Sequence, residues 1–304
     1  MTTTDGGAGQ GGAARGGGSG VTGRLDVALV DAGLSRSRSA AREAIQAGRV
    51  SVGGRVVTKP AYAVRASDVV GVEGESPYVS RAAHKLIAAL DAEAAAGRPL
   101  PIDGAIALDV GASTGGFTEV LLERGASTVI ALDVGHGQLD ARIALDARVA
   151  VVEGVNAREL SPELLTRVSG VAEAPRIVVG DLSFISLGLV LPALVATAGV
   201  DADYVLLIKP QFEVGRQGIR EGIVRDPAAR EDAIMGVLWA AADEGLAASA
   251  LISSPLVGTY GNHEYLAVFR RAHGVDPSQW RSRAAELARA HVTGAPGAAD
   301  QPPA

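Results

Sequence analysis

Two lysines and two carboxylates lie at positions where strands or helices begin or end. Lys85 lies in a helical stretch, and Glu264 begins a late apolar run. Asp181 and Lys209 each follow a run of apolar residues typical of a buried strand. The carboxyl ends of parallel strands meet at one edge of a sheet. We therefore expect the four side chains to lie close together.

Such a group suits proton removal from a weakly acidic hydroxyl, for example a ribose 2′-OH. Methylating that oxygen needs a base or an oriented acceptor. A lysine can serve only if its pKa is lowered, for instance by a second cation in a desolvated site. Lys85 would have this effect on Lys209, while Asp181 and Glu264 would orient the ammonium groups. Methyl transfer would then be a matter of alignment and need no metal. Taken alone, Lys209-Pro210 is more typical of a strand end closed by a turn.

A glycine-rich turn between a strand and a helix predicts a nucleoside-binding site. Glycine lets the backbone approach a ligand closely, and the helix N-terminus offers free N–H groups. A dinucleotide fingerprint needs a second glycine where this turn has Ser113, which argues against a pyrophosphate ligand. Asp109 instead favours a cationic ligand such as S-adenosylmethionine, contacted through water near its amino group.

Two further residues are candidates for holding the nucleoside. Asp133 ends the second strand and can accept both ribose hydroxyls. Asn156 follows the third strand and is a weaker candidate for the adenine edge. The predicted cofactor-binding residues are Asp109, Gly111, Ser113, Thr114, Gly115, Gly116, Phe117, Asp133 and Asn156.

The net charge of −6 hides a basic segment. Residues 24–65 carry +5 and the remainder −11. A local basic face is enough to bind phosphate, so this segment predicts RNA binding, although it also fits an ordinary solvated helix face. The predicted RNA-binding residues are Arg24, Arg36, Arg38, Arg42, Arg49, Lys59 and Arg81. Arg81 lies between the predicted domains and either contacts phosphate or pairs with an acid.

The pattern of elements predicts two folded domains. Helices at 25–32 and 40–47, the second capped by Ser37 or Ser39, precede a hairpin around Gly53-Gly54. Strands are predicted at 105–110, 128–132, 150–152, 176–179, 204–208, 248–253 and 264–270. Helices are predicted at 116–124, 137–145, 162–168, 188–198 and 227–244. This alternation predicts an α/β fold with a Rossmann-like doubly wound, mostly parallel sheet behind a small α+β domain.

These elements predict a layout of five segments. They are a disordered tail at 1–22, an RNA-binding domain at 23–75, a linker at 76–79, the α/β domain at 80–275, and a C-terminal helix and tail at 276–304. The chain has no cysteine, which excludes disulfides and thiolate zinc sites. His84, His136 and His263 lack metal-ligand spacing, so no metal is predicted. With no signal peptide and no apolar run of about 18 residues, we expect a cytoplasmic protein that does not enter a membrane.

The motifs resemble a known family. Residues 24 to about 72 are similar to the S4 RNA-binding domain, with its R-L-D, S-R and A-x-x-x-I-x-x-G-x-V-x-V-x-G pattern. The lysines and carboxylates resemble the K-D-K-E tetrad of FtsJ-like RNA 2′-O-methyltransferases. The motifs S-R-x-A-H-K-L, D-L-S-F-I-S-L, K-P-Q-F-E and G-N-x-E-Y resemble the TlyA family. Ser76-Pro77-Tyr78-Val79 departs from the R-A-W-V of some members, so we expect the details of domain coupling to differ.

The resemblance implies a function and roles for the tetrad. It implies S-adenosylmethionine-dependent 2′-O-methylation of a cytidine in ribosomal RNA, in the large subunit and in some members also the small one. The partner would be ribosomal RNA or a ribosomal subunit, bound by a monomer. Lys85, Asp181, Lys209 and Glu264 would be catalytic, with Lys209 as the proton acceptor. Phe184 and Phe212 are more typical of a core, although either is placed to stack on the target base.

Three other functions can be weighed against the sequence. A pseudouridine synthase with an S4 domain would need a catalytic Asp in another fold and no turn at Asp109–Gly116. A non-catalytic ribosome assembly factor would have lost tetrad residues, and all four are present. A pore-forming haemolysin, a name that some family members carry, would need a secretion signal or an apolar span.

Overall fold

The structure is a computed structural model that describes residues 23–290 except 33, 36, 54, 66–67, 69, 73–77, 216–221 and 259–260. Two compact units divide between Pro77 and Tyr78. The predicted terminal tails and Arg36 lie outside the described residues. Within those residues, no helix combines the length and the apolar content needed to cross a bilayer.

The first unit is a small α+β fold. Its elements are β1 (Gly23–Arg24), α1 (Leu25–Asp31), α2 (Arg38–Gln46), β2 (Val50–Val52), β3 (Arg55–Val56), β4 (Ala63–Val64) and β5 (Val70–Val72). Strand β2 lies between β3 and β5, and β1 pairs with β4. Ser37 caps α2 by accepting a hydrogen bond from the Ala40 N–H. Leu25, Leu29 and Ile45 on the facing sides of the two helices are completely buried.

The second unit alternates strands and helices. Its first half contains α3 (Ala83–Ala95), β6 (Ile106–Val110), α4 (Gly116–Glu123), β7 (Thr128–Asp133), α5 (Ala141–Ala144), β8 (Val149–Glu153) and α6 (Pro162–Ser169). Its second half contains β9 (Ile177–Gly180), α7 (Leu191–Ala198), β10 (Asp203–Ile208), α8 (Pro210–Glu213), α9 (Pro227–Asp243), β11 (Ala248–Ser253), β12 (Tyr265–Phe269) and α10 (Arg281–Arg289).

The seven strands of the second unit form one sheet in the order β8-β7-β6-β9-β10-β12-β11. Strands β6 to β10 run parallel, and β12 runs antiparallel to both of its neighbours. The order reverses between β6 and β9, which is where open α/β sheets bind ligands outside the carboxyl ends of their strands. The predicted Rossmann-like doubly wound fold is confirmed.

Both faces of the sheet are buried, which explains the continuous apolar runs in the sequence. Leu108, Ile130 and Leu206 pack on one face, while Ala107 and Val129 pack on the other. Side chains along a strand alternate between faces, so each central strand contributes to both cores.

The predicted helix at 137–145 is much shorter in the structure. Gly137 has a positive φ of 62°, which is not helical, and α5 begins only after Asp140. The Asp140 carboxylate accepts from the Arg142 N–H and so caps the helix at that point. The predicted helix at 188–198 likewise starts late: a 3₁₀ turn at Leu187–Leu189 precedes α7.

A buried ion network joins α3 to the sheet. Glu93 on α3 is completely buried and pairs with Arg98 at 2.8 Å and with Arg270 at 3.2 Å. Arg270 directly follows β12 and also pairs with Asp203 at the start of β10, at 3.2 Å. The network fixes the helix that carries Lys85 against the two strands nearest to the predicted site.

The two tryptophans of the chain provide a test of the core. Trp280 is 1% exposed and donates through Nε1 to the Ala248 carbonyl, whereas Trp239 is 39% exposed. We expect Trp280→Ala to lower the free energy of unfolding by about 3–5 kcal/mol, because it leaves a large cavity. Trp239→Ala is the matched control and should lower it by at most about 1 kcal/mol. Urea unfolding followed by circular dichroism measures both, and equal losses would contradict this packing.

Candidate active site

The structure brings the two lysines and two carboxylates into one connected group. Lys85 Nζ lies 2.7 Å from Glu264 Oε2 and 3.2 Å from Asp181 Oδ2. Lys209 Nζ lies 2.6 Å from Asp181 Oδ1. Asp181 therefore bridges the two lysines, and all four side chains are largely withdrawn from water. We call this group the tetrad.

The sheet explains how these residues meet. Asp181 directly follows β9 and Lys209 directly follows β10, at the carboxyl ends of adjacent parallel strands. Glu264 precedes β12, whose antiparallel direction pairs Tyr265 with Ile208 and so places its beginning at the same edge. Lys85 reaches the group from the first turn of α3.

The pKa values follow from the ion pairs. Burial alone would lower the pKa of Lys85, but Asp181 and Glu264 outweigh it and the pKa is raised. Burial alone would raise the pKa of Asp181, but Lys85 and Lys209 outweigh it and the pKa is lowered. Lys85 is thus held as a cation.

Ser183 contacts the tetrad, although it was not among the site residues predicted from the sequence. Lys209 Nζ donates a hydrogen bond of 2.7 Å to Ser183 Oγ. Ser183 lies in the loop after β9, two residues beyond Asp181. Its position in the D-L-S-F motif could have indicated a role in the site. A serine in a loop after a strand is too common, however, to be identified as a site residue from the sequence alone.

Two aromatic rings lie beside Lys209. Lys209 Nζ is 6.0 Å from the centre of the Phe212 ring, and Phe212 contacts Phe184 at 5.3 Å between ring centres. Phe184 is 90% exposed, so of the two alternatives the core position is excluded and base stacking stays a prediction. It also has a φ of 66°, a left-handed conformation that is rare for a bulky residue. An exposed aromatic ring on a strained backbone makes Phe184 a candidate functional residue.

The glycine-rich turn lies against the tetrad. A Cβ on Gly111 would come within 3.1 Å of the Asp181 carbonyl oxygen, so the absence of a side chain lets β6 and β9 end close together. Ser113 and Gly115 have φ values of 49° and 95°. A Cβ on Gly115 would lie 2.8 Å from Leu139. Thr114 is exposed, and its carbonyl accepts from the Asp140 N–H.

Two of the predicted cofactor residues also have packing roles. A Cβ on Gly116 would lie 2.9 Å from the Ser80 Cβ and 3.1 Å from the Ala83 nitrogen, so this glycine makes room for the start of α3. Phe117 is 3% exposed and packs in the core with Val120 and Leu121. Only the backbone N–H of Phe117, at the start of α4, remains to face a ligand.

Asp133 and Asn156 both make local hydrogen bonds. Asp133 accepts from the Ser113 N–H at 2.9 Å and from the Gly135 N–H at 2.7 Å, which ties β7 to the glycine-rich turn. Each carboxylate oxygen keeps a lone pair for a further donor. Asn156 is exposed and caps a 3₁₀ turn by accepting from the Arg158 N–H.

Asp109 is a completely buried carboxylate with one unused oxygen. Its Oδ2 accepts from the Thr118 hydroxyl at 2.6 Å, while Oδ1 has no hydrogen-bond partner among the described residues. Burial, reinforced by Asp181 and Asp133 and opposed by Thr118, raises the pKa of Asp109 to about 7. A buried acceptor without a donor fits a cationic or N–H-bearing ligand beside the turn.

Comparisons with known proteins agree with this arrangement. An FtsJ-like methyltransferase model matches residues 78–271, and an S4 domain model matches residues 23–70. The 16S/23S rRNA (cytidine-2′-O)-methyltransferase TlyA of Mycobacterium tuberculosis is 47% identical over 250 residues, which is 81% of this chain and 89% of that protein. The chain belongs to the TlyA family of methyltransferases.

Other relatives of this chain carry a different name. Hemolysin A of Brachyspira hyodysenteriae is 38% identical over 81% of this chain and 99% of its own length. A solved structure described as a hemolysin from Streptococcus thermophilus has 35% identity and a TM-score of 0.67, and covers 88% of this chain and 95% of that one. A similar structure from Lactococcus lactis has 37% identity and a TM-score of 0.61, over 69% of this chain and 99% of that one.

The basic residues predicted from the sequence lie in both units of this TlyA-family chain. In the first unit, Arg24, Arg38 and Arg42 all pair with Asp26, while Lys59 is exposed and Arg49 is partly buried. Arg81 is partly buried just before α3 in the second unit. Among the described residues, no cluster of three or more His, Cys, Asp or Glu side chains is arranged to hold a metal ion.

Asp109 makes a testable prediction about stability. Its folded pKa of about 7 lies above the ordinary value of 3.8, so the folded state binds a proton that the unfolded state releases as pH rises from 4 to 7. The free energy of unfolding of the wild type therefore falls as pH rises through that window. Asp109→Asn removes this loss, so the variant should gain on the order of 2–3 kcal/mol relative to wild type between pH 5 and pH 8. Urea unfolding at several pH values measures the difference.

Asp146→Asn is the control for this experiment. The pKa of Asp146 is lowered to about 2 by Arg148, so both its folded and its unfolded pKa lie below pH 5. Its difference from wild type should stay constant between pH 5 and pH 8. If Asp109→Asn also ran parallel to wild type, Asp109 would not be a desolvated carboxylate.

Proposed function

We propose that this chain transfers a methyl group from S-adenosylmethionine to the ribose 2′-oxygen of a cytidine in ribosomal RNA. The observation that carries the proposal is the ion-paired tetrad at the same sheet edge as the glycine-rich turn. The names of the M. tuberculosis relative support cytidine in ribosomal RNA as the substrate. The S4 domain supports RNA as the bearer of the hydroxyl.

Three groups of the second unit would hold the cofactor. Asp109 has a buried oxygen with no partner among the described residues, which fits the amino group of the cofactor directly or through one water. Asp133 lies at the end of β7, where a carboxylate accepts ribose hydroxyls. The N–H groups at the start of α4 lie beside the same turn. When bound, S-adenosylmethionine supplies a methyl group activated by a positively charged sulfur.

The tetrad would position and deprotonate the hydroxyl. Lys209 Nζ is held by Asp181 and Ser183, which leaves one position on the nitrogen for the 2′-oxygen. In its neutral form Lys209 would accept the hydroxyl proton as the oxygen gains the methyl group and the sulfur–methyl bond of the cofactor breaks. Lys85, paired with Asp181 and Glu264, stays charged and keeps Asp181 in place for Lys209. This division of roles explains why two lysines and two carboxylates occur together.

The exposed ring of Phe184 would receive the target base. It lies against Phe212, whose ring lies next to Lys209, so a base stacked there has its ribose close to the tetrad. Every base has a π face, so an aromatic platform binds without reading sequence. Selection of one cytidine must then come from contacts elsewhere on the RNA.

A complete tetrad and the candidate RNA-binding residues occur in one chain, and we propose that it acts as a monomer on ribosomal RNA or a ribosomal subunit. We place this reaction in the cytoplasm, where ribosomal RNA is the available substrate. A non-catalytic assembly factor remains the competing function, and the tetrad distinguishes the two.

The first test of this function is at Lys209. Lys209→Ala should lower methyl transfer by at least about 100-fold, because a general base contributes at least that much. Its affinity for S-adenosylmethionine should change little. Transfer of labelled methyl to unmethylated ribosomal RNA measures the first, followed by mapping of 2′-O-methylcytidine, and calorimetry measures the second.

Lys209→Arg separates the two roles of the lysine. Arginine keeps the charge beside Asp181 but does not give up its proton. It should be nearly as inactive as the alanine variant if Lys209 accepts the proton. Full activity in Lys209→Ala would remove both the mechanism and the proposed role of the tetrad.

The second test is at Phe184. Phe184→Ala should lower kcat/KM for RNA by about 5- to 150-fold, the range expected for loss of one base–aromatic stack. Phe184→Trp should retain activity, while Phe184→Leu should not. Leu189→Ala removes another exposed apolar side chain and is the control. Equal activity of the Leu and Trp variants would argue against stacking.

A further inference from the structure

One buried carboxylate in the first unit holds three arginines. The Asp26 side chain is 0% exposed, while those of Arg24, Arg38 and Arg42 are 49%, 55% and 50% exposed. Arg24 Nε donates to Asp26 Oδ1 at 2.9 Å, and Arg42 Nε donates to Oδ2 at 2.9 Å. An Arg38 terminal nitrogen donates to Oδ2 at 3.4 Å. We call these four residues the arginine cluster.

The local structure explains why the cluster forms. Arg24 immediately precedes α1, and Asp26 is the second residue of that helix. Arg38 and Arg42 are one turn apart on α2, which places them on the same face. Hydrogen bonds from Arg24 foremost, and then from Arg42 and Arg38, lower the pKa of Asp26 against the effect of its burial. Asp26 is therefore ionised at neutral pH.

The cluster retains more positive charge than it neutralises. Three guanidinium groups share one carboxylate, which leaves a net charge of +2 at one spot. Each guanidinium carries five N–H donors and gives only one or two of them to Asp26. The remaining donors sit on half-exposed side chains. Arginine forks match phosphate oxygens, and fixing them in advance reduces the entropy lost on binding.

We infer that Asp26 is a positioning residue that presents Arg24, Arg38 and Arg42 as a single site for backbone phosphates of RNA. The inference rests on the proposed function in that the RNA is ribosomal. It gives a negatively charged residue a role in binding RNA, which is itself a polyanion. The competing interpretation is that Asp26 only joins α1 to α2.

Removal of the Asp26 charge separates the two effects on binding. Asp26→Asn raises the net charge by one, so arginines acting only as charges would bind RNA more tightly. Arginines that depend on Asp26 for their position would bind less tightly. For the full chain and an unmethylated ribosomal RNA transcript, we expect the Kd to rise about 5- to 10-fold. The slope of log Kd against log salt should fall by about one, which corresponds to the loss of about one phosphate contact.

Asp31→Asn is the matched control because it makes the same change of charge at an exposed position on the same helix. It should bind at least as tightly as wild type. At saturating RNA, kcat of Asp26→Asn should equal the wild-type value while KM rises. A purely structural role would not produce this combination with an unchanged Tm. Binding of Asp26→Asn as tight as that of Asp31→Asn would overturn the inference.

A second variant preserves the charge and avoids the buried residue. Arg42→Lys keeps the cation but loses the Nε–H that reaches Asp26. It should weaken RNA binding several-fold, whereas Arg55→Lys, at an exposed arginine on β3, should not. Equal binding by the two lysine variants would overturn the inference even if Asp26→Asn failed to fold.

The outcomes also separate this inference from the proposed function. If the wild-type chain methylates ribosomal RNA and Asp26→Asn binds as Asp31→Asn does, the inference fails and the function stands. If the wild-type chain binds the RNA but transfers no methyl group, while Asp26→Asn binds more weakly, the function fails and the inference stands.

Discussion

The ion pairs of Asp181 with two lysines are the interaction on which the candidate site depends. Two ammonium groups withdrawn from water would repel each other strongly, and isolated buried charges are costly. One carboxylate between them removes the repulsion, and Glu264 balances the second positive charge. With both lysines charged, the group is neutral as a whole, so it can be buried. Removing any member leaves an unpaired charge behind, which means that stability and chemistry are linked at these residues.

The sheet supplies the positions that this charge balance requires. The reversal of strand order between β6 and β9 opens the edge where Gly111 and Asp181 meet, with no side chain between them. The antiparallel direction of β12 places Glu264 at that edge, although it lies at the start of its strand rather than at the end. If β12 ran parallel to β10, its first residue would lie at the opposite end of the strands, away from the carboxyl ends of β9 and β10.

Much of this was predictable from the sequence, and the exceptions have physical causes. Strand ends fix where Asp181 and Lys209 lie, because apolar runs mark buried parallel strands clearly. The helix at 137–145 was predicted too long, since an Asp140 cap and a positive φ at Gly137 are local features weaker than the apolar pattern. The sequence left Phe184 open between a core position and a stacking position, because an aromatic residue next to a strand usually packs inward, and its exposure decides against the core. The role of Gly116 in packing against Ser80 depends on a contact across 36 positions of sequence, which no local pattern reveals.

Each unit contains a buried carboxylate that is shared by two or three cations. The cations differ in how far they are exposed to water. The lysines bound to Asp181 are about one-tenth exposed. Their charges therefore interact mainly with groups inside the site, including any ligand that contacts them. The arginines bound to Asp26 are half exposed, so most of their charge and donors still face solvent. Lysine suits the first setting because it can lose a proton. Arginine suits the second because it cannot, and because its planar fork matches phosphate. Under the proposed function, the choice of cation in each unit thus follows from whether the site would move a proton or hold a polyanion.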